Sequence, residues 1–527
     1  MLKTLTKLAA GVALAGLLTS SALAQMVYNR GNSAEPESLD PHKTSTVYEA
    51  HILRDVFEGL IMQDANADII PGAAESWTVS DDGTVYTFKI RQDANWSNGD
   101  PVTADDFIYA FQRLQNPETA AEYASMLYVV KGAEEVNTGK GKPEDMGLKA
   151  IDAKTLEVTL KAPTPYFLEM LTHQSTYPVH KASIEALGAD WVKPGQMVSN
   201  GAFTLTEWVP NDHIKIVKNP GYHDAENVKL DEVNYFPTED RSTAIKRFEA
   251  GELDSNDDMP TEQLADIRTK FGEQVHIGPY LGTYYYSIKW DKEPWSNVKL
   301  RNAISMAIDR DFLAEKVWTN SMIPAYGMVP PGVEGYAPAT ADYAEMSQID
   351  REDEAAKILA ELGYGPDKPL KLEIRYNTSE NHKNTAVAIQ EQLKPLGIEV
   401  SLLNTDTKTH YGHLEQKGDF DLARAGWIAD YKDPESFLGI SVAASGQNYS
   451  NYNSPVYEDL MKKAAAAGGN AEERMKLLAE AEKVLVDDIG NMPLLFYSYH
   501  NLVSPKLSGF EDNVMDVHPS RFISKQG

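Results

Sequence analysis

Two runs of alternating apolar residues, separated by one helical segment, constrain the fold of this chain more than any other feature. Residues 370–376 alternate between apolar and other side chains, and residues 398–402 do the same. Such alternation indicates half-buried β-strands, and the segment from Asn381 to Leu393 between them is typical of a helix. A strand, a helix and a second strand predict a parallel pair joined by a right-handed crossover. We therefore expect an α/β protein.

A second feature is a concentration of binding groups at the end of another predicted strand. Phe420 and Leu422 alternate as strand residues do, and the sequence continues as Ala423-Arg-Ala-Gly-Trp-Ile-Ala-Asp-Tyr431. Open α/β sheets place ligand-binding groups at the carboxyl ends of their strands. Gly426 would allow the backbone to approach a ligand closely. This segment is therefore a candidate binding site.

The charges in this segment suggest a zwitterionic ligand. If Arg424 and Asp430 lie at opposite ends of a cavity, the guanidinium can bind a carboxylate while Asp430 binds an ammonium group. Trp427 would then form the wall between them. The alternative is an ordinary ion pair between Arg424 and Asp430, with Trp427 in the core.

The first 24 residues have the pattern of a secretory signal peptide. Lys3 and Lys7 precede an apolar run through Leu18, and Ala22-Leu-Ala24 matches a signal peptidase site. A membrane anchor would need about 20 unbroken apolar residues, and residues 19–21 interrupt the run too early. We expect a soluble, exported protein that begins near residue 25.

Composition narrows the location and the partners. The chain has no cysteine, so neither disulfides nor a lipid-modified cysteine are expected, and the fold depends on a large core. Free residence in the periplasm follows for a host with two membranes. The net charge of −29 argues against nucleic acid or an anionic membrane as a partner, because both need a basic surface.

Signals of catalysis are weak. The sequence contains no Gly-x-Ser-x-Gly, His-Glu-x-x-His or Gly-x-x-x-x-Gly-Lys motif. His410 and His413 are spaced to share a helix face, but no third metal ligand is in phase with them. We expect no catalytic residue, no metal and no cofactor, and hence a protein that is not an enzyme.

Five segments together resemble the periplasmic oligopeptide-binding proteins, which are solute receptors of peptide ABC importers in extracellular solute-binding family 5. The segments are Ala34-Glu-Pro-Glu-Ser-Leu-Asp-Pro-His42, Phe57-Glu-Gly-Leu60, Trp96-Ser-Asn-Gly-Asp-Pro-Val-Thr-Ala-Asp-Asp-Phe107, Thr283-Tyr-Tyr-Tyr286 and Ala423-Arg-Ala-Gly-Trp427. The match runs in order from about Tyr28 to the C-terminus. Dipeptide, nickel, haem and sugar receptors share the N-terminal motifs.

The resemblance implies an α/β fold of the type II periplasmic solute-binding class, with two lobes that close over the ligand and one extra domain. Lobe I would comprise residues 25–58, 181–281 and 499–527. The extra domain II would comprise residues 59–180, and lobe III residues 282–498. A peptide in such receptors is held as an added strand, with its side chains in hydrated pockets.

The resemblance also implies a role for each site residue. Asp430 matches the aspartate that pairs with the α-ammonium of the peptide, and Arg424 and His382 match residues that meet the C-terminal carboxylate. The matching backbone contacts are Gly426, Trp427 and Ile428, with Val47 on the facing lobe. The matching aromatic pocket residues are Tyr123, Tyr284 and Tyr497.

Several positions depart from the family pattern. Trp318 and Glu415 stand where relatives have basic residues, Lys408 replaces a pocket aromatic residue, and Ser45 replaces an acidic residue. Gly282 and Ile428 occupy the positions of a cysteine pair found in some relatives. With fewer basic residues, Lys408 is a candidate third cation for the carboxylate. If His382 acts as a cation, binding of longer peptides should weaken from about pH 6 to pH 8.

Three functions remain open from the sequence. The first is a monomeric oligopeptide receptor that delivers its ligand to an inner-membrane ABC permease. The second is a receptor of the same fold for another amino-group-bearing solute, such as a murein peptide, an opine or a metal complex. The third is an exported hydrolase, which would need a catalytic constellation that the sequence does not display.

Overall fold

The computed structural model describes residues 25–365, 368–467 and 470–526, without the side chains of Thr407 and Lys408. The predicted signal peptide, residues 1–24, lies outside these described residues. Among the described residues, no helix has both the length and the apolar character needed to cross a membrane.

A mixed sheet of 11 strands forms the centre of the molecule. In spatial order its strands are Ile398–Thr405, Leu370–Asn377, Leu422–Ile428, Val275–Ile288, Met492–Val503, Ser255–Asn256, Val27–Asn32, Glu232–Pro237, His213–Lys218 and Phe203–Val209, and Met322–Pro324 pairs beside Met492–Val503. The strands near the two ends of this order come from different parts of the chain.

The predicted strand–helix–strand unit lies at one edge of this sheet. Leu370–Asn377 and Ile398–Thr405 pair in parallel along their full length, and the helix Glu380–Leu393 connects them. The prediction of a parallel pair is confirmed. Leu422–Ile428 is next in the sheet and is also parallel to Leu370–Asn377.

Two long strands pass from one half of the sheet to the other. Val275–Ile288 has 14 residues and Met492–Val503 has 12, and they pair antiparallel. At one end Met492–Val503 adjoins Ser255–Asn256. At the other end Val275–Ile288 adjoins Leu422–Ile428. The register between the long strands shifts between Pro279 and Thr283, which is where a bulge changes the local twist.

Smaller sheets complete the strand inventory. The four-stranded sheet consists, in spatial order, of Ala74–Val79, Val85–Ile90, Thr155–Thr159 and Leu148–Asp152, and all its pairings are antiparallel. Two two-stranded sheets are formed by Ile61–Gln63 with Ile69–Pro71 and by Leu507–Ser508 with Ser524–Lys525.

Helices connect and cover these sheets. The α-helices of the described residues are Val47–Val56, Ala104–Gln115, Ala133–Asn137, Phe167–Met170, Lys181–Leu187, Arg241–Glu249, Leu264–Phe271, Val298–Ala307, Arg310–Phe312, Gln348–Glu361, Glu380–Leu393, Thr407–Glu415, Glu435–Leu438, Pro455–Ala466 and Ala471–Asp487.

In the sequence, Asn470 followed three residues later by Glu473 predicts the start of the last long helix, and Pro493 is predicted to end it. The helix ends earlier than this. Its predicted start is confirmed, because the side chain of Asn470 accepts a hydrogen bond from the Glu473 N–H. The prediction that Pro493 ends it is wrong. The helix stops at Asp487, and Ile489 adopts a φ of 47°, a left-handed conformation typical of helix C-termini. Pro493 instead lies inside the strand Met492–Val503.

The core covers both faces of the long sheet. Tyr284 and Tyr286 point into a cluster that contains Leu372 and Ile374, whereas Tyr285 points into a separate cluster on the opposite face. Alternation along the strand therefore fills two cores. A third cluster joins the N-terminal strand, the helix Val47–Val56 and the four-stranded sheet.

Candidate functional site

A cavity of about 510 Å³ lies where the two halves of the long sheet meet. The start of the helix Val47–Val56, the end of the strand Leu422–Ile428 and the two long crossing strands all contribute to its wall. Five predicted site residues line it: Val47, Tyr123, Trp427, Ile428 and Asp430. This volume is within the range of small-ligand sites.

Asp430 is held at the strand end by its neighbours. The strand stops at Ile428, the Ala429 N–H donates to the carbonyl of Leu281 at 2.9 Å, and the Asp430 N–H donates to Ser436 Oγ at 3.3 Å. The prediction that Asp430 follows a strand end is confirmed. Burial raises the pKa of Asp430 to about 7, against a hydrogen bond from Tyr123 that favours the carboxylate.

The loop beyond Asp430 is anchored by a buried ion pair. Arg474 Nη1 and Nη2 donate to the two carboxylate oxygens of Asp433 at 2.8 and 2.7 Å, which is the bidentate geometry that fixes both groups. Tyr431 stacks on Tyr166 with ring centroids 5.3 Å apart. Asp430 is therefore presented from a rigid segment.

One edge of the strand Leu422–Ile428 is open for most of its length. Its other edge pairs with Gly282–Ile288 at every residue. On the open side, strand pairing within the described residues stops after Ala423, and His410 Nε2 donates to the carbonyl of Arg424 at 2.8 Å. The backbone of residues 426–428 thus offers a free strand edge beside the cavity, a surface that can pair with another extended chain.

Val47 faces this strand from the opposite wall. It is the first residue of the helix Val47–Val56, and 54% of it is exposed. The side chain of Glu49 accepts hydrogen bonds from the N–H groups of Ser45 and Thr46 at 3.3 and 3.2 Å, which orders the start of the helix. An exposed valine at an ordered cavity wall is available for contact with a ligand.

Arg424 does not line the cavity but lies in a buried cluster of hydroxyl groups. Its guanidinium donates to Tyr411 Oη at 2.8 Å and to Tyr497 Oη at 2.9 Å. The carbon of the guanidinium lies 4.8 Å from the ring centre of Tyr284. The side chain does not form the ion pair with Asp430 that was one interpretation of the sequence, because the two residues lie in different surroundings.

His382 belongs to this second cluster, where it is neutral. Its Nδ1 lies 3.3 Å from Tyr284 Oη, and Trp318 packs against both residues. Burial, with the positive charge of Arg424 nearby, lowers the pKa of His382 to about 3. A cationic His382 that loses its charge between pH 6 and pH 8 is therefore not supported, because the imidazole is uncharged throughout that range.

Gly426 has a role that differs from the expected one. A Cβ at this position would lie 2.8 Å from Tyr497 Oη and 3.0 Å from Arg424 Nη2. The space that we expected a ligand to use is therefore occupied by the protein itself. Gly426 allows the hydrogen bond between Arg424 and Tyr497 to form beside the strand.

The remaining predicted residues divide between the two regions. Trp427 lines the cavity and its Nε1 donates to Ser436 Oγ at 3.3 Å. Tyr284 is completely buried, and Tyr497 is half-buried. Lys408 lies in the first turn of the helix Thr407–Glu415, and its side chain is outside the described part of the structure.

Sequence reasoning missed the acidic residues of the cavity. Asp257, Asp258 and Asp516 line it together with Arg54 and Tyr280. Asp257 and Asp258 directly follow the strand Ser255–Asn256, so the rule that selected Asp430 could also have selected them. Asp516 follows no strand, and no local pattern marks it.

Comparisons with known proteins agree with this architecture. Residues 68–451 match the family of bacterial extracellular solute-binding proteins, family 5. The chain is 41% identical to the periplasmic oligopeptide-binding protein OppA of Escherichia coli, over 91% of this chain and 89% of that protein. It is 36% identical to the periplasmic murein peptide-binding protein MppA of Escherichia coli, over 92% and 91%.

Solved structures give the same result. The unliganded open form of MppA has a TM-score of 0.83 at 35% identity and covers 95% of this chain and 98% of that one. OppA of Haemophilus influenzae in complex with RPPGFSPFR has a TM-score of 0.80 at 36% identity and covers 95% and 99%. The fold is that of the type II periplasmic solute-binding proteins. The chain belongs to the bacterial extracellular solute-binding proteins of family 5, as the resemblance in sequence predicted.

Proposed function

We propose that this protein is a receptor that binds oligopeptides in the cavity between its two lobes and delivers them to an ABC importer. The observation that carries this proposal is the open strand edge of residues 426–428, which leads to the carboxylate of Asp430 in the cavity. A peptide has an extended backbone and one terminal ammonium group, and these are the two features that such an arrangement recognises. The names of the relatives support the same ligand class.

The peptide adds a strand to the sheet. Its backbone groups pair with those of residues 426–428, while Val47 contacts it from the facing lobe. Its α-ammonium binds Asp430, and this cation favours the ionised carboxylate, which burial alone disfavours. Because main-chain pairing does not depend on sequence, the receptor accepts many peptides. Tyr123 and Trp427 form part of the side-chain pockets.

The Arg424 cluster receives the other end of the peptide. Arg424 carries the positive charge, and His382 acts as a neutral hydrogen-bonding group beside it. Tyr284 and Tyr497 orient the guanidinium, and Lys408 supplies a further cation from the neighbouring helix. A peptide carboxylate reaches Arg424 when it displaces or bridges the tyrosine hydroxyl groups.

The two lobes close over the ligand about the crossing strands. Residues 25–58, 181–281 and 499–527 form lobe I, residues 59–180 form domain II, and residues 282–498 form lobe III. The positions of the separate sheets support this division. The register shift between Pro279 and Thr283 lies next to the boundary between lobes I and III, where a bend requires little change in packing.

The receptor acts as a monomer in the periplasm and docks on an inner-membrane permease. The signal-peptide pattern of residues 1–24 and the periplasmic location stated for OppA support this location. Nucleic acid is not a partner, because the net charge of −29 repels it.

A murein peptide is the second candidate ligand. The observation that favours it is the similarity to the unliganded form of MppA, a murein tripeptide binding protein. Such a ligand also carries an amino group for Asp430. An opine or a metal complex lacks comparable support, and the described residues contain no cluster of three or more metal-binding side chains.

Native mass spectrometry of the protein purified from its own periplasm tests the proposal. We expect a ladder of bound masses that correspond to peptides of several sequences. A single bound mass from a murein tripeptide would select the second candidate. A single mass without an amide backbone would contradict both.

A further inference from the structure

The cavity is lined by more carboxylates than one peptide terminus can bind. Asp257, Asp258, Asp430 and Asp516 line it, and Arg54 is the one lysine or arginine among its lining residues. A buried carboxylate without a counter-ion is costly, so structures normally pair it. The partners of each of these groups therefore indicate which charges remain for a ligand.

Two of the carboxylates have partners of different kinds. Asp258 is paired within the protein, because Arg241 Nε lies 2.6 Å from its Oδ2. Asp257 accepts a hydrogen bond from Ser33 Oγ at 3.1 Å and lies 3.4 Å from His51 Nδ1. Burial holds the pKa of His51 well below its ordinary value, so this imidazole supplies no charge to Asp257.

Asp516 is also without a charged partner. Asn501 Nδ2 and His518 Nε2 contact its Oδ1 at 2.6 and 2.9 Å. Burial lowers the pKa of His518, so both partners act as neutral donors. Within the described chain, no lysine or arginine forms an ion pair with Asp257, Asp430 or Asp516.

Two further buried residues in the same cavity each have a polar atom without a partner. Gln174 is 3% exposed, lines the cavity, and has no hydrogen-bond partner for its side-chain oxygen among the described residues. Arg54 forms no ion pair in the described part of the chain; its guanidinium hydrogen-bonds to Tyr177, but its Nε has no partner there. Among the described residues, the cavity is therefore lined by three carboxylates that have no lysine or arginine in ion-pair contact and by one arginine, while Arg30, outside this lining, acts on Asp257 at longer range.

We propose that the receptor prefers peptides with a basic side chain, whose ammonium or guanidinium group is bound by Asp257 and Asp516 while the α-ammonium is bound by Asp430. This inference rests on the proposed function, because it assigns a side-chain preference to the same peptide site. Two cations from the ligand favour the ionised forms of these carboxylates, which burial disfavours at Asp257 and Asp430. An acidic side chain in the same compartment is repelled, so the charges also select against the wrong ligand.

Asp257 and Asp516 interact with each other but not with Asp430. Burial raises the pKa of Asp257 to about 6, the positive charge of Arg30 opposes this shift, and the negative charge of Asp516 adds to it. Neither carboxylate contributes to the raised pKa of Asp430. Asp257 follows the strand Ser255–Asn256, and Asp516 lies in the C-terminal segment, whereas Asp430 follows the strand Leu422–Ile428. A single ammonium group therefore does not account for all three. A side chain that extends from the bound backbone provides the second cation.

Calorimetry with three pairs of tripeptides tests this proposal. Each pair places either lysine or norleucine, which has a similar length but no charge, at the first, second or third position of an otherwise alanine peptide. At one position we expect lysine to bind about tenfold more tightly than norleucine, an ordinary effect for a close charge pair. A glutamate peptide at that position should bind more weakly than both.

Variants test whether Asp257 and Asp516 cause the preference for lysine. In Asp257→Asn/Asp516→Asn the lysine advantage should fall to about twofold or less, while norleucine peptides bind as they do to the wild type. Asp419→Asn is the control, because Asp419 is exposed and pairs with Lys292, and neither residue lines the cavity. It should retain the full lysine advantage. If the double variant does not fold, each single variant should show part of the loss.

Other outcomes distinguish a failure of the preference for basic side chains from a failure of the proposed peptide binding. Norleucine peptides that bind without a lysine advantage at any position, or a lysine advantage that survives in the folded variants, would overturn this inference and leave the proposed function intact. Failure of all the peptides to bind would refute the proposed function and the inference together. Tighter binding of free 1,5-diaminopentane than of any lysine peptide would assign the carboxylates to a small amine and overturn the proposal.

Discussion

The Asp430 cavity and the Arg424 cluster carry opposite charges and satisfy them in opposite ways. In the cavity, Asp430, Asp257 and Asp516 have no lysine or arginine in ion-pair contact among the described residues, whereas Asp258 pairs with Arg241. Arg424 is 7% exposed, and its guanidinium already donates to two tyrosine hydroxyl groups. The Asp430 cavity is suited to bind a cation of the ligand, whereas in the Arg424 cluster the guanidinium already has most of its hydrogen bonds without a ligand.

This difference predicts which changes affect binding and which affect folding. A buried charged group without a partner lowers the stability of the empty protein and raises the affinity when a ligand pairs with it. A group that is satisfied internally stabilises the fold, and a ligand must compete for it. Substitutions in the two regions should therefore separate the affinity for peptide from the free energy of unfolding.

The largest expected effect is the loss of affinity in Asp430→Asn. Removal of one partner of a buried charge pair typically costs about 2–5 kcal/mol, and calorimetry with an alanine tripeptide measures it. Asp419→Asn is the control, since Asp419 is exposed and pairs with Lys292 at the surface. Unchanged affinity in Asp430→Asn would remove the contrast between the regions.

The same substitution should stabilise the empty protein at pH 8. Burial raises the pKa of Asp430 to about 7, so the protonated form is favoured by folding and the ionised form at pH 8 opposes it. An uncharged asparagine avoids that cost. If the melting temperature of Asp430→Asn, measured without peptide at pH 8, is below that of the wild type, the predicted stabilisation is contradicted.

The next effect is on stability, in the Arg424 cluster. In Gly426→Ala the new Cβ would lie 2.8 Å from Tyr497 Oη and 3.0 Å from Arg424 Nη2. Such overpacking typically costs about 1–3 kcal/mol of unfolding free energy, which urea denaturation measures. Gly412→Ala is the matched control, because Gly412 lies in the helix Thr407–Glu415 and its Cβ would have no neighbour within 4 Å. That change should stabilise by about 0.5–1 kcal/mol.

A smaller effect should appear on lowering the pH. The α-ammonium binds the ionised form of Asp430, whose pKa in the empty protein is about 7. Affinity should therefore fall from pH 8 to pH 6, by at most about tenfold for each pH unit below 7. Calorimetry across this range should show a flatter profile in Asp430→Asn. Since His382 is neutral above about pH 3, a loss of affinity as the pH rises from 6 to 7, where the α-amino group of the peptide stays mostly protonated, would contradict this account.

The smallest effect is expected for Lys408→Ala. Ion pairs in contact with solvent typically contribute only about 0–1 kcal/mol, and Arg424 remains as a second cation. Affinities for peptides of two to six residues should change by less than they do in Asp430→Asn. A larger loss of affinity for Lys408→Ala would indicate that the peptide carboxylate does not bind at Arg424.

The sequence predicted those parts of the molecule that depend on local patterns. Alternation identified the parallel pair Leu370–Asn377 and Ile398–Thr405, and the position of Asp430 followed from the end of a predicted strand. The N-cap at Asn470 was predicted from its spacing to Glu473. Each of these signals lies within a few residues of the feature that it predicts.

The remaining features depend on contacts between distant segments. Asp257 and Asp516 reach the cavity from two parts of the chain that are 259 residues apart in number. The neutral partner of Asp257, His51, comes from a third part, whereas His518 follows Asp516 by two residues. The role of Gly426 depends on Tyr497, in a strand that follows much later. Local spacing holds no information about such neighbours, so the acidic compartment was not predicted.

The central claim is that Asp430 binds the α-ammonium group of a peptide. Calorimetry of one tripeptide in two forms, with a free and with an acetylated N-terminus, tests this claim most directly. For the wild type we expect acetylation to cost about 2–5 kcal/mol, because it removes the ligand's half of a buried charge pair. In Asp430→Asn the two forms should differ little. Equal affinities of the two forms for the wild type would contradict the account.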